Sequence, residues 1–214
     1  MSSIPALAFR DFFVARDAAT LASACSALLK CGALAADTLN EITDWSQEEF
    51  AFNRFFVGPM APIAAPYASV WLSPEPFLMT AETLKIRAFY ATLGLEAPAD
   101  GTPDDFLPFE LESYTILCSL KETAQSSEAI AAVDEALSWL VTEHWRRWLP
   151  PFLNAALSDE TLPPVLRAVL TGFGEWVNQT SAKAVSVQVR TFSPLSSCER
   201  GEKSAMPPHK NVST

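Results

Sequence analysis

Between Val57 and Pro76 stand five prolines, at positions 59, 62, 66, 74 and 76. Each fixes its own φ and steers the residue before it away from helical backbone, so no helix crosses this stretch and the chain must organise itself on either side of it. The result is a long but stiff connection. A stiff loop loses little entropy when it binds something, and connecting segments carry recognition residues out of proportion to their length. Tyr67 and Trp71 place two rigid rings within it. Pinning the loop onto the helices beneath is the plainer role for the same two side chains.

Both flanks read as helix. In the block from Pro5 to Phe56, Phe9, Phe12, Phe13 and Arg16, then Leu21, Cys25, Leu28 and Leu29, recur at three and four residues, which is the helical period. Gly32 permits a stop, Ser46-Gln47-Glu48-Glu49 has the form of a capping box, and Phe52, Phe55 and Phe56 make the next apolar face. The block holds three or four helices. Beyond the prolines, Thr80 is placed to cap a helix bearing Ile86, Phe89, Tyr90 and Leu93 and ending at Gly94. Thr102-Pro103-Asp104-Asp105 then reads as a helix start, with Thr102 as cap, proline in the first turn and two carboxylates at the positive end of the dipole. That reading accounts for both aspartates without any function.

Leu111, Tyr114, Leu117 and Cys118 continue this helix, and Ser126 or Ser127 caps the next, with Ile130, Val133, Leu137, Leu140 and Val141. Pro150-Pro151 predicts a break or kink after His144 to Leu149, and a last helix spans about Pro163 to Thr180. With only seven glycines and few β-branched runs, the fold class is all-α: one globular domain of about eight or nine helices over residues 1–180. From Ser181 the pattern fails. Val185, Val187 and Val189 alternate as in a strand, but a strand with no partner cannot satisfy its backbone; residues 181–214 are expected to be a disordered basic tail.

Charge divides along the same line. The tail carries Lys183, Arg190, Arg200, Lys203 and Lys210 against Glu199 and Glu202, a balance of +3, which leaves −13 for residues 1–180 of a chain whose net charge is −10. Such a body repels nucleic acid and anionic membrane and attracts basic partners, although acidity also serves solubility alone. No run approaches the roughly 18 apolar residues of a membrane span, and Arg10 and Asp11 interrupt any signal-peptide core; a cytoplasmic location is expected. Cys25, Cys31, Cys118 and Cys198 lack paired spacing and have only two histidines to join them, so neither zinc nor a disulfide framework is indicated. The first three read as small core residues.

Catalytic signatures are missing. There is no nucleophile elbow, phosphate-binding loop, dinucleotide fingerprint or H-E-x-x-H. His144, flanked by apolar residues and two tryptophans, reads as a core or capping histidine. Asp104, Asp105, Glu110 and Glu112 cluster, but with no histidine or paired acid on a second element they serve the dipole and solvation. No metal, cofactor or catalytic residue is expected.

Taken together, Phe55-Phe56-Val57-Gly58-Pro59, Pro66-Tyr67-Ala68-Ser69-Val70-Trp71, Thr83-Leu84-Lys85-Ile86-Arg87 with Gly94-Leu95, Pro103-Asp104-Asp105 with Glu110-Leu111, and His144 with Trp148 and Phe152 resemble the TorD/DmsD family of redox enzyme maturation chaperones. The matches run in order from about residue 46 to 152. The resemblance implies an all-helical cytoplasmic chaperone that binds the twin-arginine signal peptide of a molybdenum-cofactor oxidoreductase of the DMSO/TMAO reductase type, and also its mature part, until the cofactor is inserted. It implies a peptide-binding surface at Tyr67, Trp71, Asp104 and Asp105, with Ser69, Phe106 and Glu110 adjoining. An acidic body suits a leader carrying two arginines, and exposed rings suit its apolar segment. One departure is Asp105-Phe106 where the family usually has Asp-His, which bears on any nucleotide binding inferred from relatives. A metal- or nucleotide-dependent enzyme built on the acidic cluster, and a structural subunit held by one redox partner, are the competing readings. The sequence selects neither monomer nor dimer.

Overall fold

The computed structural model describes residues 3–40, 42–74 and 77–191. Among them the chain forms nine α-helices: α1 (Ile4–Phe13), α2 (Ala18–Lys30), α3 (Trp45–Phe52), α4 (Ala68–Leu72), α5 (Ala81–Thr92), α6 (Leu107–Thr123), α7 (Ser127–Ser138), α8 (Arg146–Leu157) and α9 (Pro164–Thr191). Two π-helical turns, Asn53–Val57 and Trp139–Trp145, extend α3 and join α7 to α8. The all-α expectation holds.

The centre is aromatic. α1 lies against α2 and α6 and sends Phe9, Phe12 and Phe13 inward, all buried. Phe12 meets Phe52 edge-on at 5.3 Å, Phe9 meets Phe173 at 5.0 Å, and Phe13 lies within 5.7 Å of Phe56 and 5.9 Å of Phe152. Burying one such ring is worth roughly 1.5–3 kcal/mol, and edge-on pairs add about 0.5–1.5 kcal/mol. One cluster of rings thus ties α1, α3, α8 and α9 into a single core. Cys25 and Cys118 are buried within it, and Cys31 is partly exposed.

Local chemistry sets several helix ends as the sequence suggests. Thr80 caps α5 through the Glu82 N–H, Ser126 caps α7 through the Ala129 N–H, and Gly94 takes φ 68° after the last turn of α5. Others differ. α3 begins one residue before Ser46, because Asp44 is the cap and accepts the Ser46 N–H; Glu49 reaches instead to the Ala18 N–H of α2. Thr102 caps no helix: α6 starts only at Leu107, since Asp105 to Leu107 are held in extended pairing with Pro66 to Ala68. α8 runs unbroken through Pro150 and Pro151, and the departure from α geometry falls upstream in the π-helical turn at Trp139–Trp145.

α9 continues to Thr191, so the expected boundary at residue 180 falls inside a helix and the alternating valines belong to it. Thr180 and Ala184 are buried along it. The rest of the expected tail, including Cys198, lies outside the described residues.

Candidate functional site

The proline-rich loop is stitched to the start of α6 by backbone. Tyr67 and Phe106 form an antiparallel bridge, the Ala68 N–H donates to the Asp105 carbonyl at 3.1 Å, and the Leu107 N–H donates to the Pro66 carbonyl at 2.9 Å. The two rings stack across this bridge, centroids 5.0 Å apart. Two stretches 36 residues apart, both singled out by sequence, therefore make one surface.

Asp105 locks the joint. Its carboxylate is fully buried; Oδ2 accepts the Ser69 N–H at 2.6 Å and Oδ1 accepts the Thr83 hydroxyl at 2.8 Å. α4 has only five residues and no capping side chain of its own, so Asp105 caps it from another segment and ties it to α5 and α6. Ser69 is likewise buried. In this structure neither side chain is open to a ligand.

Asp104 sits beside it, almost fully covered. Its Oδ2 receives Arg87 Nε at 3.0 Å and Nη2 at 2.6 Å. Glu110, one turn into α6, points inward: Oε1 pairs with His144 Nε2 at 2.8 Å and Oε2 accepts the Trp145 indole N–H at 2.8 Å. Burial pushes the Glu110 carboxyl up; His144 opposes this, Asp105 adds to it, and the Trp145 N–H opposes it. His144 stacks on Trp139 at 5.5 Å, so the π-helical turn presents a histidine and a tryptophan together to one buried carboxylate. His144 is a core histidine, as its apolar surroundings suggest.

The open feature is apolar. A groove of about 610 Å³ runs between the loop, α1 and the π-helical turn after α3. Phe13 and Phe56 contribute from the aromatic core, Trp71 and the Tyr67–Phe106 pair from the stitched joint, and Val57 and Leu78 from the surface. Trp71 is fixed by its indole N–H, which donates to the Ala65 carbonyl at 2.8 Å, and by an edge contact with Phe152 at 6.1 Å. The Tyr67 hydroxyl is pushed up by burial first and then by Asp105 and Asp100. Val57, Met60 and Leu78 are 60%, 83% and 49% exposed, so apolar side chains lie open to water at and beside the groove. Gly58, at φ 117°, makes the turn that starts the loop; a Cβ there would stand 2.9 Å from the Met60 carbonyl oxygen.

Of the seven candidates, Tyr67, Trp71 and Phe106 line this groove, Asp104 is covered by Arg87, and Ser69, Asp105 and Glu110 hold the scaffold. Phe13, Phe56 and Leu78 were not among the expected site residues, nor were Thr83 and Arg87, which stood only within a motif of the resemblance and whose partners lie about 20 residues away. Among the described residues no group of three or more His, Cys, Asp or Glu is placed to hold a metal ion.

A family model described as nitrate reductase delta subunit matches residues 14–154, two thirds of the chain and nearly all the elements that build the groove. The chain belongs to the nitrate reductase delta subunit family. This is a family of redox enzyme maturation proteins, and the motif resemblance over residues 46–152 falls within the matched span. The fold is similar to that of a protein described as a redox enzyme maturation protein from Archaeoglobus fulgidus, with a TM-score of 0.60 at 16% identity, covering 83% of this chain and 94% of that one. No curated protein matches this chain. No helix among the described residues is long and apolar enough to cross a membrane.

Proposed function

We propose that this family member is a cytoplasmic maturation chaperone that binds the twin-arginine signal peptide of a molybdenum-cofactor oxidoreductase and holds the enzyme for cofactor insertion. The observation that carries the reading is the apolar groove, floored by core phenylalanines and bordered by side chains left open to water. A rigid groove of that kind takes the apolar segment of a leader as a helix or an extended strand with little ordering of its own. The −13 body supplies the field that attracts the basic part. Tyr67, Trp71 and Phe106 contact the peptide; Asp105, Ser69 and Glu110 hold those contacts in place; Asp104 is the least buried of the three candidate carboxylates. The protein works by binding, without catalysis of its own.

The client is a DMSO/TMAO reductase-type enzyme or, as the family's description suggests, a nitrate reductase. Titration with synthetic leaders and N-terminal segments of each, followed by tryptophan fluorescence, separates them. Micromolar binding, about 8 kcal/mol, to one peptide and loss of it in Trp71→Ala supports the reading. Saturable binding to none would overturn it.

A further inference from the structure

Five rings line the groove: Phe13, Phe56, Tyr67, Trp71 and Phe106. Aromatic-lined grooves are general receptors for proline-bearing segments, whose backbone is already extended and loses little entropy on docking. This chain carries such a segment itself. Residues 203–214, which lie outside the described residues, hold Met206-Pro207-Pro208 between Lys203 and Lys210, with no Asp or Glu among them. The segment is apolar at its centre, fixed in φ at two consecutive residues, and +2 in charge against −13 for residues 1–180. Groove and segment thus match in chemistry, and body and segment are opposite in sign.

The tether is long enough. Phe173 of α9 stands 5.6 Å from Phe13, which lines the groove. From there α9 runs on to Thr191, about 27 Å at the helix rise of about 1.5 Å per residue. Met206 is 15 positions beyond Thr191, and a chain of that length spans up to about 50 Å. Phe192 and Leu195, at most four positions past Thr191, reach only about 13 Å and fall short of the return. A segment tied to its site in this way meets it at a roughly millimolar effective concentration, so a weak contact is enough to fill the groove. We infer that residues 203–212 dock Met206-Pro207-Pro208 in the aromatic groove as a built-in competitor: they cover its apolar surface when no client is bound, and a client peptide displaces them. This rests on the groove being the peptide site and adds how that site is regulated. Val57 and Leu78, at the groove's open edge, are then shielded from water in the free protein, and only a client that outcompetes the segment is held.

The test has two arms, both on the full chain. In the first, Met206 is replaced by the photo-reactive p-benzoylphenylalanine, the protein is irradiated without any client, and cross-linked peptides are mapped by mass spectrometry. Cross-links within one molecule to the groove around Trp71 and Leu78 are expected, and their loss when Leu78→Asp is added. Cross-links elsewhere on the body, cross-links only between copies, or none at all would overturn the inference. In the second arm the synthetic leaders are titrated into wild type and into the variant Met206→Ser, Pro207→Gly, Pro208→Gly, with melting curves to confirm that each is folded. The variant is expected to bind at least threefold tighter, and the leader that binds is expected to suppress the cross-link of the first arm. Equal affinity for wild type and variant would overturn the competitor and leave the groove reading intact. A groove cross-link with no leader bound by either protein would instead overturn the leader reading and leave the docked segment standing.

Discussion

At the scale of single residues, the account turns on carboxylates that face inward. Asp105 gives one oxygen to the Ser69 N–H and the other to the Thr83 hydroxyl, both without contact with solvent. Removing it leaves two buried donors unpaired, each worth about 1–3 kcal/mol. Asp105→Ala is therefore expected to lose about 2–4 kcal/mol of stability in denaturant titration, and Thr83→Val, which removes one neutral donor, about 1–2 kcal/mol. An unchanged midpoint for Asp105→Ala would remove the aspartate from the scaffold. Glu110 makes a pH-dependent case. Its carboxyl is raised in the folded protein above the 4.5 of an ordinary glutamate, chiefly by burial. The folded chain thus holds that proton more tightly than the unfolded chain, so the contribution of Glu110 to stability falls as pH rises from about 4.5 through the raised value. Glu110→Gln keeps an acceptor for Trp145 and lacks this slope. Its melting temperature relative to wild type is expected to climb with pH over that window, and a relative decline would contradict the assignment.

Among elements, what was legible followed from local chemistry. The caps at Thr80 and Ser126 and the stop at Gly94 depend on residues within one turn of each other, and the structure has them. The start of α6 was misread because the decisive interaction is not local. Thr102-Pro103-Asp104-Asp105 has every mark of a helix start, yet the backbone from Asp105 to Leu107 is drawn into pairing with Pro66 to Ala68, and Asp105 caps α4 instead. The same applies to Arg87, whose role depends on a partner 17 residues on. The valines after Ser181 alternate like a strand, but α9 is already carrying the chain as helix and continues through them. Close packing of α9 sets another expectation. A Cβ on Gly172 would stand 2.4 Å from the Ala33 carbonyl oxygen, a backbone atom that can yield only by shifting the chain after α2. Gly172→Ala is expected to lose about 1–3 kcal/mol in thermal unfolding, and a neutral effect would mean that this contact is slack.

For the whole molecule, the fold class could be read from composition and period, because helices packed around one aromatic cluster need only apolar residues at the right spacing. The site was half legible. Tyr67 and Trp71 stood out as rigid rings in a stiff loop, and they do line the groove. Phe13 and Phe56 were read as helix faces and not as site residues, because a ring at the edge of a core has the same sequence pattern as one at its centre. Acidity of the body makes a further claim: affinity for a basic leader should fall as ionic strength rises above about 0.1 M, where exposed charges are screened within about 10 Å, while affinity for an apolar peptide of equal length should hold. Calorimetric titration of a client leader into wild type, Val57→Asp and Leu78→Asp tests the central claim most directly, because both side chains line the groove and are about half or more exposed. The account predicts unchanged melting temperatures and at least tenfold weaker binding, about 1.4 kcal/mol, in both variants. Wild-type affinity in folded variants would place the leader elsewhere on the protein.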